Sequence, residues 1–129
     1  MTELDKAYLA GLFDGEGSVH LGYYRHQKSS KLYPRLTISI GNNVRSVLDW
    51  VRVIMGVGGV YSCRSARGNC QEQFKWQATC AGARLFLREV LPYLKIKQDK
   101  AARLLAEEAA LVRPNKRGDV AQVGRAPDS

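Results

Sequence analysis

Two carboxylates, Asp14 and Glu16, stand two residues apart and each is followed by a glycine, at the end of the run LAGLFDGEG over residues 9–17. Uncrowded carboxylate oxygens beside exposed backbone carbonyls suit a hard divalent cation, and Mg²⁺ is the usual choice for oxygen ligands. The residues leading up to them follow a helical pattern. Ala7, Gly11 and Gly15 share one face, while Leu4, Tyr8 and Leu12 line an adjoining one. A face of small residues buries little apolar area, but it lets another backbone come close. The helix end is also where the macrodipole is negative, so Lys or Arg would be expected there rather than two acids. A local rule broken this openly points to function. The plainer reading is a glycine C-cap at Gly15 or Gly17 with Asp14 and Glu16 as solvated turn residues.

The elements that must position these groups can be read from period. Residues 18–26 alternate, with Val19, Leu21 and Tyr23 on one side and His20, Gly22 and Tyr24 on the other. Residues 35–41 alternate as well: Leu36, Ile38 and Ile40 inward, Arg35, Thr37 and Ser39 outward. Period two over such lengths predicts strands with one buried face, closed into a hairpin by the polar linker 27–34. Asn42 or Asn43 is expected to cap a helix carrying Val47, Leu48, Val51, Ile54 and Met55, which the run 56–59 stops. Strands are predicted again at 60–65 and 74–80, joined by a loop at 66–69. In the second, Phe74, Trp76 and Ala78 face inward and Lys75, Gln77 and Thr79 outward. A helix follows at 83–90, Pro92 breaks it, and a last helix over 98–112 carries Ala101, Ala102, Leu104, Leu105, Ala109 and Leu111. The class is α+β: α-β-β-α-β-β-α and a final helix, with a four-stranded antiparallel sheet and helices on one face.

Composition narrows the partners. The 129 residues suffice for one core, and the formal charge of +8 is concentrated in the middle of the chain. Residues 18–80 hold nine basic residues (Arg25, Lys28, Lys31, Arg35, Arg45, Arg52, Arg64, Arg67 and Lys75) against Asp49 and Glu72, a net of +7. Such a region is the electrostatic footprint of a phosphate-rich partner. The uncovered sheet face and its connecting loops would offer DNA the candidates His20, Tyr24, Arg25, Lys28, Lys31, Arg35, Thr37, Ser39, Tyr61, Arg64, Arg67, Lys75 and Gln77, and a polar, basic face of strands suits the DNA major groove. Three cysteines without zinc-type spacing are expected to be free thiols. With no long apolar run and no leader pattern, the expectation is a soluble intracellular protein, of a bacterial cytoplasm or an organelle matrix, with no membrane partner. Residues 113–129 lack an apolar period and read as a flexible basic tail beyond a single domain of 1–112.

The nonamer resembles the signature of the LAGLIDADG homing endonucleases, departing from its letters at Phe13, at Gly15 and at Glu16; at Phe13 the family varies among apolar residues, and at Glu16 it uses Asp or Glu. The element order and the basic sheet extend the resemblance to about residues 1–112. A third point of similarity is Pro92-Tyr93-Leu94-Lys95-Ile96-Lys97, where the family carries a lysine that works near the scissile phosphate. Lys97 takes that role by position, with Lys95 the weaker candidate. The resemblance implies site-specific hydrolysis of both strands of a long, pseudo-palindromic duplex DNA target with a divalent metal. It implies Glu16 and the Gly15 carbonyl as metal ligands and Asp14 as a cap for backbone amides. On the sheet floor, Gln77 or Asn42 would orient water. Mg²⁺ would support cleavage, Mn²⁺ would substitute, and Ca²⁺ would support binding alone.

No second copy of the motif occurs in residues 18–129. Cutting two strands then implies a homodimer packed through Ala7, Gly11, Leu12 and Gly15, bringing two Glu16 residues together. Two other functions belong to the same resemblance: an intron RNA maturase, which a basic sheet bearing Tyr24 and Tyr61 could serve, and a catalytically silent DNA-binding regulator. Glu16 and Lys97 together argue against the second. The expected setting is an intron-encoded gene.

Overall fold

A computed structural model describes residues 1–25, 31–63 and 72–112. Lys28, Arg64, Arg67, Cys70 and the expected tail at 113–129 lie outside the described residues. The first helix, α1 (Glu3–Glu16), starts at a reciprocal cap: Thr2 Oγ1 accepts from the Asp5 N–H and Asp5 Oδ2 accepts from the Thr2 N–H, both at 3.1 Å. It runs through Gly15 and Glu16, so neither acid is a turn residue. Gly17 follows directly as the first residue of β1, with extended backbone. A Cβ on Gly17 would lie 2.3 Å from the Phe13 ring, so glycine is what allows the strand to leave tight against the helix.

The strands β1 (Gly17–Arg25), β2 (Leu32–Asn42), β3 (Gly59–Cys63) and β4 (Gln73–Thr79) form one antiparallel sheet in the order β1-β2-β4-β3. The helices α2 (Arg45–Met55), α3 (Ala81–Val90) and α4 (Gln98–Val112) complete the fold, with a 3-10 turn at Leu91–Tyr93. Leu36, Ile38 and Ile40 of β2 and Trp76 of β4 are fully buried under the helices. They meet Leu9 and Phe13 of α1, Leu48 and Val51 of α2, and Phe86 and Leu87 of α3. Phe86 links the layers, its ring 5.3 Å from Phe13 and 5.2 Å from Trp76.

Four details depart from the sequence reading. The cap of α2 is Val44, without a side-chain bond; Asn42 instead closes the strand, its Oδ1 accepting from the Val44 N–H at 2.8 Å. Tyr23 shares the inner side of β1 with Val19 yet is 56% exposed, because the hairpin runs on past the helical layer. The inward face of α1 is Leu9, Ala10, Phe13 and Asp14, which leaves Leu4 and Tyr8 in solvent. On α4 the inward positions are Ala101, Leu104 and Glu108, not Ala109 or Leu111; Glu108 is buried against the Arg84 guanidinium of α3. Among the described residues, no helix is long and apolar enough to cross a membrane.

Candidate nucleic-acid interface and metal centre

The two acids of α1 part company. Asp14 is turned inward, where Oδ2 accepts from the Lys95 N–H at 2.7 Å and Oδ1 from the Lys97 N–H at 2.9 Å. The Lys97 ammonium donates to the Asp14 carbonyl at 2.6 Å. A helix that has no basic residue in its last turn thus receives its compensating cation from the segment before α4. Burial of Asp14 works to raise its pKa. The backbone N–H groups of Lys95, Lys97 and Ile96 and the charge of Lys97 outweigh this and hold the carboxyl below the ordinary carboxylate range.

This anchor contributes stability above the ordinary carboxylate range, and the contribution is lost as pH falls through the depressed folded-state value. Asp14→Asn should therefore cost about 1–3 kcal/mol at neutral pH, since an amide cannot accept at both oxygen positions. The deficit should shrink in acid, where the native carboxyl is protonated too. Urea denaturation of both proteins at neutral pH and below the carboxylate range reads this directly, and parallel pH curves would show that Asp14 is not the anchor.

Glu16, one residue beyond Gly15, is exposed and has no hydrogen bond or ion pair among the described residues. The last carbonyls of a helix lack intrahelical partners. The donor set at this corner is therefore one free carboxylate and helix-end carbonyls, with the Lys97 cation beside them. No group of three His, Cys, Asp or Glu able to hold a metal occurs among the described residues. The hard-oxygen chemistry fits Mg²⁺, but one chain supplies only part of a shell.

The open sheet face is fixed by register, since directly paired residues share a side. Ser18, Ser39, Gln77 and Gly59 form one row, His20, Thr37 and Thr79 a second, and Gly41, Lys75 and Tyr61 a third. Gly22 stands opposite Arg35, and Tyr24 opposite Tyr33. The Ser18 and Ser39 hydroxyls are 2.9 Å apart. No acid occupies these positions. The row that holds Gln77 begins one residue after Gly17, at the end of the sheet where α1 delivers Glu16. Ser18, Tyr33 and Thr79 also lie on this face; the same alternation that flagged their neighbours marks them.

Two expected site residues do not. Asn42 pairs with Phe74 and sits on the side of Ile40 and Trp76, so it is not on the open floor. Arg25 pairs with Leu32 on the side of Val19 and Leu21, and reaches solvent only beyond the helices. Lys31 lies exposed just before β2.

On α1 the residues Ala7, Gly11 and Gly15 are exposed together, and Cβ atoms built on Gly11 or Gly15 would meet nothing within 4 Å. Beside them, a groove of about 340 Å³ is lined by Leu4, Asp5, Tyr8, Val47 and Trp50, with Tyr8 and Trp50 edge to face at 5.5 Å.

A helix that hands over directly to a four-stranded sheet, with helices on one side and a polar, basic face on the other, is the fold of the LAGLIDADG homing endonucleases. The homing endonuclease I-CvuI, in complex with its target in the presence of Ca²⁺, superposes with a TM-score of 0.69 at 21% identity, over 84% of this chain and 68% of that one. The archaeal intron-encoded homing endonuclease I-Vdi141I, complexed with DNA, gives 0.68 at 15% identity, over 87% and 71%. The LAGLIDADG homing endonuclease I-LtrWI, bound to target DNA, gives 0.65 at 17%, over 88% of this chain but 39% of its own. No protein-family profile and no curated protein matches the sequence.

Proposed function

We infer that this chain is a site-specific DNA endonuclease of the homing type, which binds a long pseudo-palindromic duplex as a homodimer and hydrolyses both strands with a divalent metal. The observation that carries this reading is the meeting, at one corner, of an unengaged carboxylate, a helix-end cation and an acid-free open sheet. Structural neighbours solved on DNA, I-CvuI with Ca²⁺ among them, support it. So does the face of α1, where small residues stand bare in solvent beside an apolar groove. A second copy packed there would bring a second Glu16 and supply the ligands that one chain lacks.

Glu16 and the Gly15 carbonyl would hold the metal, Mg²⁺ for cleavage, with Mn²⁺ able to substitute and Ca²⁺ supporting binding only. When bound, the metal activates water and neutralises phosphate oxygens. Lys97 presents a cation to the developing charge, and Asp14 keeps Lys97 in place. Gln77, on the floor row that starts beside Gly17, orients water. The open face lies along the major groove.

Incubating the protein with a genomic DNA library in Mg²⁺ and sequencing the ends tests the function: one long consensus cut on both strands is expected, and no cleavage, or cleavage without consensus, would refute it. Binding to a folded intron RNA in preference to duplex DNA would favour a maturase instead. Within this frame Gln77→Ala should relax preference at individual base pairs by about 1–3 kcal/mol. Lys31→Ala, just before β2, should weaken all sequences alike and flatten the salt dependence by about one phosphate. Equal effects from both, measured across a target library, would contradict the register given above.

A further inference from the structure

Tyr24 and Arg35 are held as a unit on the open face. The Arg35 guanidinium carbon lies 4.2 Å from the centroid of the Tyr24 ring. Tyr24 is in turn backed by Tyr33, its direct partner across β1 and β2, with ring centroids 5.7 Å apart. Opposite Arg35 stands Gly22, so no side chain from β1 projects against it there. The room a Cβ at Gly22 would need is taken by the His20 ring, at 2.8 Å from Nε2. Among the described residues Arg35 has no carboxylate partner, although it is exposed. An exposed arginine normally samples many rotamers and loses that freedom on binding. Stacking on a ring fixes the plane of the guanidinium beforehand and leaves its N–H edges free to donate.

We propose that Arg35 reads a guanine in the major groove, donating to O6 and N7 of that base, and that Tyr24 is the positioning residue that makes this reading selective. The proposal rests on the DNA reading of the open face and adds a base identity and a place. Arginine to guanine O6 and N7 is the pairing that a planar, bidentate donor satisfies best. Register sets the place. Ile40 pairs with Gly17 beside the end of α1, and Arg35 is five residues further along β2, about 17 Å at the rise of a strand. With the reach of the side chain, the guanine falls roughly five to eight base pairs from the centre of the target at about 3.4 Å per pair. A symmetric dimer places one such guanine in each half-site.

The test is selection from a randomised duplex DNA library in Ca²⁺, with no cleavage required, using the full chain as wild type, Tyr24→Phe, Tyr24→Ala and Arg35→Ala. Wild type and Tyr24→Phe should select guanine at that distance in each half-site. Tyr24→Ala and Arg35→Ala should lose at least about fivefold of the preference there while keeping it elsewhere. The other positions of the consensus report in the same experiment whether each variant still folds and binds. Guanine selection that survives Tyr24→Ala, that falls as far in Tyr24→Phe, or that is missing from the wild-type consensus overturns the proposal alone. A wild type that selects no sequence at all overturns the DNA reading beneath it.

Discussion

Glu16→Gln should leave a protein that folds, dimerises and binds its duplex in Ca²⁺, yet cuts in Mg²⁺ slower by about three orders of magnitude or more, the scale of losing an essential metal ligand. Glu16 is exposed and unpartnered among the described residues, so its replacement touches nothing the fold depends on and should shift stability by no more than about 0.5 kcal/mol. Binding should hold or tighten, because a negative charge facing phosphate has been removed. Lys97→Met is a less clean experiment. The Lys97 ammonium donates to the Asp14 carbonyl at the end of α1, so that variant would lose stability as well as rate. A plasmid-cutting assay in Mg²⁺ beside a gel shift in Ca²⁺ separates chemistry from binding. Near wild-type cutting by Glu16→Gln would remove the metal assignment.

The two acids show how far a sequence can be read and where it stops. Their identity and the helix they end were legible, because period and spacing are local. That Asp14 turns inward while Glu16 stays in solvent was not visible as geometry, since the partners of Asp14 lie 81 and 83 residues away. The strands were legible for the same local reason, and their alternation placed Arg35, Thr37, Ser39, Lys75 and Gln77 on the open face, as the register has them. Asn42 was misplaced as a floor residue because its type says nothing of parity. It is one step out of phase with Gly41, and in a strand one step changes sides. Glu108 is the converse case. A glutamate among alanines reads as a solvated helix face, and only the fold brings Arg84, 24 residues earlier in the chain, to it. The exposed side of α1 was recognisable as small from sequence, but its openness required seeing that the buried side of the helix is Leu9, Ala10, Phe13 and Asp14.

That openness makes the dimer testable with one residue. Gly11 sits in the middle of α1, and a side chain there would meet nothing within 4 Å in the single chain. If α1 faced only solvent, Gly11→Gln would be favourable, since glycine in a helix interior costs up to about 1 kcal/mol against an ordinary helix former. The protein would become slightly more stable and cut as before. If Ala7, Gly11 and Gly15 pack against the same residues of a second copy, the glutamine fills the space where the two backbones must approach. The helix content should then persist in circular dichroism, while sedimentation moves from dimer to monomer. Affinity for a full target should fall towards that for a half-site, and double-strand cleavage should drop to slow nicking or vanish. Ala102→Gln, on the exposed side of α4, adds the same side chain away from α1 and should change none of these. Because one alternative raises stability and spares activity while the other spares the helix and destroys assembly, sedimentation and cutting measured together decide between them. A Gly11→Gln protein that remains dimeric and cuts both strands at the wild-type rate would show that the small face of α1 is not where two copies meet.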